Sequence, residues 1–249
     1  MLILLPPSET KADGGDGPPL DLDRLAFPEL NQARKELVTD LVTLAADPAA
    51  SRRALGLSER QDAEIARNAA LWTARTAPAL HRYTGVLYDA LDARTLRGAA
   101  AERAVDRLVV ASALFGLLRA ADQVPAYRLS AGSTLPDRPT LSTWWRPEVE
   151  PVLAGAHGLV VDLRSGSYAA LARVPGAVTV RVLSERPDGT RTVVSHHNKA
   201  TKGRVARLLA GTRAEPADVA GLLRLLRRAG LPVERGEHAH GIDLVLPPS

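Results

Sequence analysis

The chain has 249 residues, 32 Lys and Arg against 28 Asp and Glu, a net charge of +4 and no cysteine. Without cysteine there is no disulfide framework, thiolate zinc site, iron–sulfur cluster or cysteine nucleophile, and no segment reaches the roughly 18 apolar residues of a membrane span. The run 2–5 is too short and lacks the basic lead-in of a signal sequence, which fits a cytoplasmic protein, and a pI near 9.7 tilts toward a polyanionic partner.

In chain order, Leu2 to Leu5 reads as a short buried strand that ends at Pro6-Pro7. Lys11 to Pro19 is a Gly/Pro/Asp-rich loop. Glu29 to Ala46 has helical apolar spacing, and Ser58 with Gln61 forms a capping box for a helix reaching about Thr73. Pro78 to Leu91 is helical with a break near Thr84-Gly85. The alanine- and valine-rich run from 101 to 113 reads as a helix stopped by Gly116. Thr143 to Leu153 is helical despite Pro147 and Pro151.

The pattern then changes to strands. Gly158 to Leu163 is a buried strand. Val178 to Leu183 and Thr190 to Ser195 alternate around Arg186-Pro187-Asp188-Gly189, a hairpin signal. Helices follow at Ala200 to Gly211 and Pro216 to Gly230, and strands at Leu231 to Arg235 and Ile242 to Leu246. If the first strand joins the late ones, the chain is one interleaved α+β domain, 1–249, with a mixed β-sheet and surrounding helices.

Five groups of residues could carry chemistry. Leu114-Phe115-Gly116-Leu117-Leu118-Arg119, followed by Asp122, Pro125, Tyr127 and Arg128, suggests a helix that turns at glycine and restarts. Such a helix-hairpin-helix, at about 105–125, would offer backbone N–H groups and arginines to phosphate; the plainer reading is a buried hairpin. Ser8 and Lys11 sit in a loop after the first strand, where binding groups are common, and their spacing matches a serine–lysine acylase pair whose partner motifs are missing. Tyr83 and Tyr88 flank Thr84-Gly85 and could stack bases or simply pack the core. Ser165 to Tyr168 follows a strand as a possible anion-binding turn. From Lys199 to Arg213 there are five Lys/Arg and no acid; cations at a helix start oppose its dipole, so anion binding would explain them better than local stability does. Lysine is scarce, 4 among 32 basic residues, which draws attention to Lys11, Lys199 and Lys202. His196-His197 would face opposite ways on a strand, and His238 and His240 the same way, but no third ligand lies near, so no metal and no cofactor is expected.

Taken together, Met1-Leu2-Ile3-Leu4 through Ser8 and Lys11, Tyr83-Thr84-Gly85, the 114–119 run with Asp122, Pro125, Tyr127 and Arg128, Trp145, Leu163, Ser165, Tyr168, Lys199, Lys202-Gly203 and Arg207 resemble the YaaA family of peroxide stress resistance proteins over essentially the full length. The Pro6-Pro7-Ser8-Glu9 form is similar to the actinobacterial branch and departs from the Ser-Pro-Ala-Lys form of enterobacterial members. His196-His197 stand where those members carry aromatics.

The resemblance implies an α+β fold with a helix-hairpin-helix and a positively charged cleft, DNA binding that includes duplexes, and protection against hydrogen peroxide with less oxidative DNA damage and less free iron. On this basis Lys11, Arg119, Arg128, Lys199, Lys202 and Arg207 are expected to neutralise phosphates. Tyr83, Tyr127 and Tyr168 would contact sugars or bases, and Ser8, Gly116 and Ser165 would complete the set. Replacing Arg119 by Ala is then expected to flatten the salt dependence of binding. The alternative is an enzyme in the same cleft, acting on a damaged base or a nucleotide-like ligand, with Lys199 or Lys202 as nucleophile and Asp122 or Asp162 as acid/base partner. Iron sequestration is disfavoured by the missing cysteines and the sparse histidine–carboxylate pattern.

Overall fold

A computed structural model describes residues 1–186, 190–193 and 195–246, with only the backbone of 193 and 195–197. In chain order the elements are β1 (Leu2–Leu5), α1 (Asn31–Leu44), α2 (Pro48–Leu55), α3 (Asp62–Ala69), β2 (Ala77–Pro78), α4 (Ala79–Arg82), α5 (Val86–Leu91), α6 (Ala99–Arg107), β3 (Leu108–Ser112), β4 (Gly116–Arg119), β5 (Gln123–Val124), α7 (Leu141–Ala154), β6 (Val160–Asp162), α8 (Gly166–Ala169), β7 (Val178–Glu185), β8 (Arg191–Val193), α9 (Ser195–Gly211), α10 (Val219–Arg228), β9 (Val233–Arg235) and β10 (Gly241–Leu246). Among the described residues no helix is long and apolar enough to cross a membrane.

One mixed sheet runs through the molecule in the order β4-β3-β1-β6-β7-β10-β9. Its five inner strands are parallel, and β4 and β9 close the edges antiparallel. β1 reads as an unbroken apolar run and β3 nearly so because both faces are covered; every residue of β1 and β3 is buried, whereas β7 alternates buried and more exposed positions in its first half. β7 shares one edge between two partners. Its first residues pair with β6, Val178 with Val161 and Thr179 with Asp162, and residues 183–185 then pair with β8. A separate two-stranded ribbon joins β2 to β5.

The capping box at Ser58 and Gln61 forms as the sequence predicts, and the break at Thr84-Gly85 separates α4 from α5. Helix α9 begins at Ser195, five residues before its expected start, and α2 lies in a stretch the sequence left unassigned. The turn 187–189 of the expected hairpin lies outside the described residues, although β7 and β8 pair as that hairpin requires.

The stretch about 105–125 corrects the sequence reading. It is a β-hairpin, not a helix-hairpin-helix: β3 pairs with β4 from Ser112–Gly116 back to Val109–Arg119. A short apolar run cannot be told from a buried helix by periodicity, and here Val109 and Val110 are sealed inside the sheet. Gly116 serves the turn, with φ at 69°, and lies so close to Trp145 that an added Cβ would sit 2.8 Å from the indole ring.

Candidate ligand cleft at the strand switch point

From β1 the chain travels to β3 on one side, then returns to place β6 on the other side of β1. The strand order therefore reverses between β1 and β6, and in open α/β sheets a crevice forms beyond the carboxyl ends of such strands. A cleft of about 630 Å³ lies there. Pro6 to Thr10 leave β1 to form one wall, and Leu163, Ser165, Ser167 and Tyr168 leave β6 to form another. Thr84 to Tyr88 at the start of α5 and Asn198, Lys199 and Lys202 of α9 complete it.

Helix packing fixes the width of this cleft. Gly203 lets α9 lie directly on α5, since a Cβ there would fall 2.2 Å from the Leu87 carbonyl oxygen. Lys202, one residue before, points into the cleft and donates to the Arg164 carbonyl at 3.2 Å. Burial lowers its pKa, and Asp162 acts in the opposite direction. Asp162 itself is committed to Arg164 through a two-pronged buried bridge of 2.9 and 2.7 Å. Lys199 is exposed at the mouth with no charged or hydrogen-bonded partner among the described residues. The Asn198 side-chain oxygen is buried without a donor among the described residues.

The loop from Ser8 to Lys11 is held from behind. Lys11 donates to the Ser8 and Glu9 carbonyls at 3.0 and 3.2 Å, and its ammonium lies 4.1 Å from the Tyr127 ring centre. Carbonyls and ring face favour the charged form, yet burial, helped by Arg128, brings its pKa down to about 7. Below it, Tyr83 shares a hydrogen bond with Tyr127 at 2.8 Å and Tyr127 with Ser112 at 2.7 Å. Ser112 in turn accepts the Leu114 and Phe115 N–H groups of the hairpin turn. Glu9 spans the mouth to pair with Arg128 at 3.0 Å, and Arg128 Nε is buried without an acceptor.

The expected site residues thus separate. Ser8, Ser165, Tyr168, Lys199 and Lys202 line the cleft, with Lys11 and Arg128 behind its rim. Tyr83 and Tyr127 are 2% and 1% exposed and present no ring face to a ligand. Arg119 lies in a different hollow, with Met1, Phe27 and Asp106; it donates to the Asp106 carbonyl and covers the Phe27 ring. Arg207 caps the end of α5, donating to the Leu91 and Asp92 carbonyls and Thr95. Gly116 is under Trp145. Asp122 fastens backbone, accepting the Ala26 and Arg119 N–H groups, and burial raises its pKa. His238 and His240 lie in the turn between β9 and β10, not on a strand, and the side chains of His196 and His197 lie outside the described residues. Among the described residues no cluster of three or more His, Asp or Glu could hold a metal.

Sequence reasoning passed over two buried arginines. Arg34 donates to the Phe115 and Leu117 carbonyls, and Arg82 to those of Val124 and Gly14. Little local marks them, because these carbonyls lie 42 to 83 residues away.

The sequence matches the protein family described as peroxide stress protein YaaA over residues 1–234. The chain belongs to the YaaA peroxide stress protein family. It is 50% identical over 241 residues to a UPF0246 protein of Corynebacterium efficiens, covering 95% of this chain and 96% of that one. A UPF0246 protein of Corynebacterium glutamicum is 47% identical, covering 99% and 100%. One of Streptomyces coelicolor is 46% identical, covering 97% and 95%. Within the YaaA frame, the motifs after β1, before α5, after β6 and at the start of α9 converge on one cleft, whereas the 114–119 run builds the far edge of the sheet.

Proposed function

We propose that this YaaA-family chain acts in the peroxide stress response as a DNA-binding protein that holds phosphates at the switch-point cleft. One observation carries the reading: among the described residues Lys199 and Lys202 face the cleft without a carboxylate partner within salt-bridge distance, while the one acid that lines it, Glu9, is engaged with Arg128. Unpaired cations of this kind bind phosphate independently of sequence. Lys11 and Arg128, held behind the rim by carbonyls and by Glu9, raise the cations to four once a phosphate draws them in. Each phosphate neutralised contributes about −0.9 to the slope of log K against log salt, so the slope should fall between about −2 and −4.

The test is binding of a fluorescent duplex, with and without an oxidised base, across a salt series, followed by a denaturing gel. Lys199→Gln and Lys202→Gln should each flatten the slope by about one. Arg119→Ala, at the opposite end of the strands, should leave it unchanged. If Arg119→Ala alone flattens it, the DNA lies elsewhere. Lesion-dependent cleavage with intact binding would favour the enzymatic reading, for which Lys202 is the better nucleophile because burial disfavours its charged form. Asp122 takes no part in that reading, since its carboxylate is engaged away from the cleft.

A further inference from the structure

We infer that the switch-point cleft is a specific site for a nucleoside monophosphate unit, either free or as an unstacked nucleotide of a strand. The inference rests on the same cleft as the DNA reading but asks for more than charge.

Three sets of groups make different demands on the occupant. Lys199 and Lys202 are three residues apart on α9 and so share one face of the helix. Opposite them are two hydroxyl pairs, Ser8 with Thr10 at 3.1 Å and Ser165 with Ser167 at 3.4 Å. Within each pair one hydrogen is shared and the other remains to donate. Ammonium point charges and rotatable hydroxyls can surround a tetrahedral phosphate, whereas a planar carboxylate is better met by the fork of an arginine.

The second demand is for a donor. Among the described residues the Asn198 oxygen is buried without one, and an unpaired buried acceptor is costly unless a ligand satisfies it. Inorganic phosphate as a dianion brings a single O–H, and a phosphodiester brings no donor. A sugar hydroxyl or an exocyclic amine supplies one.

The third is for a flat apolar surface. Tyr168 lines the cleft, its hydroxyl accepting the Ala131 N–H. Tyr83, Tyr88, Tyr127 and Phe115 are all engaged in ring contacts with one another, whereas no ring stacks on Tyr168 among the described residues. Val86 and Leu163 add apolar wall nearby. A cleft of about 630 Å³ is within the usual range of small-ligand sites. Glu9, tied to Arg128 across the mouth, stands as a competing carboxylate that an entering phosphate would displace.

The experiment is calorimetric titration of the full chain with adenosine 5′-monophosphate, inorganic phosphate and adenosine, together with competition by a single-stranded oligonucleotide. Adenosine 5′-monophosphate is expected to bind at least tenfold tighter than either fragment. Lys199→Gln, an exposed position that should not disturb folding, and Lys202→Gln should each weaken it at least fivefold. Tyr168→Ala should erase the advantage over phosphate. Glu9→Gln should tighten binding. Displacement of the nucleotide by the oligonucleotide identifies the strand as the source; failure to displace identifies the free nucleotide, and either outcome supports the site. No binding at millimolar nucleotide, or binding indifferent to Lys199→Gln, overturns the inference. If the duplex still binds in a salt-dependent way, the DNA reading survives that failure. Nucleotide binding without duplex binding at low salt removes the DNA reading and leaves the site.

Discussion

Lys11 illustrates how a single side chain can oppose the fold that uses it. Its folded pKa of about 7 lies below the ordinary lysine value of 10.5. Between these values the unfolded chain binds more protons than the folded one, so stability rises with pH from about 7 toward 10. Above about 10 the buried tyrosines reverse the trend: burial raises Tyr83, Tyr88 and Tyr127, so only their unfolded forms release protons there. Thermal unfolding followed from pH 6 to 10.5 should show a rise and then a fall, and Lys11→Met should shrink the rise to the share that buried Lys202 contributes while keeping the fall. The same residue marks the limit of reading cations from sequence. Lys11, Arg119, Arg128 and Arg207 were all legible as positive charge. What was not legible is that carbonyls and carboxylates already occupy them: those of its own loop for Lys11, the Asp106 carbonyl for Arg119, Glu9 for Arg128 and the end of α5 for Arg207. Lys199 and Lys202 differ in that they face the cleft with no carboxylate within salt-bridge distance among the described residues.

Element boundaries were legible where local chemistry decides them. The Ser58–Gln61 box and the Thr84-Gly85 break needed no tertiary information. The hairpin of β3 and β4 did, because Leu108 to Ser112 have no alternation and the same residues would suit a buried helix. Its arginine and glycine, which suggested phosphate binding, instead serve the Phe27 and Trp145 packing. The glycine whose purpose is clearest is Gly203. A methyl group there would meet the Leu87 carbonyl and lie 2.8 Å from the Ala90 Cβ, both on α5. Gly203→Ala should therefore destabilise by about 1–3 kcal/mol in urea unfolding, the usual cost of overpacking, and should push Lys199 and Lys202 away from Ser8. A fully stable Gly203→Ala protein would mean that α9 can tilt freely on α5.

At the scale of the molecule, the sheet is two parts held by a narrow seam. Only Val161–Val178 and Asp162–Thr179 pair across it, and the Asp162–Arg164 bridge sits at its end, with Arg164 also donating to the Ala172 carbonyl. Removing one partner of a buried pair strands the other, at about 3–5 kcal/mol. Arg164→Met should cost that much in denaturant unfolding, and the Asp162→Asn, Arg164→Met double variant should recover part of it. That β1 shares one sheet with the late strands was legible in the sequence; their order was not, because strand neighbours are set by pairings between distant segments. Those pairings also govern how the chain is made. β1 is flanked by β3 and β6, and its partner Asp162 emerges about 160 residues after Leu4. At about 5–20 residues per second the ribosome needs roughly 10–30 s to supply that second neighbour. Throughout that interval an apolar strand with an open edge is exposed to other nascent chains, so the yield of soluble protein should depend on translation speed and on chaperones that shield an N-terminal segment during synthesis.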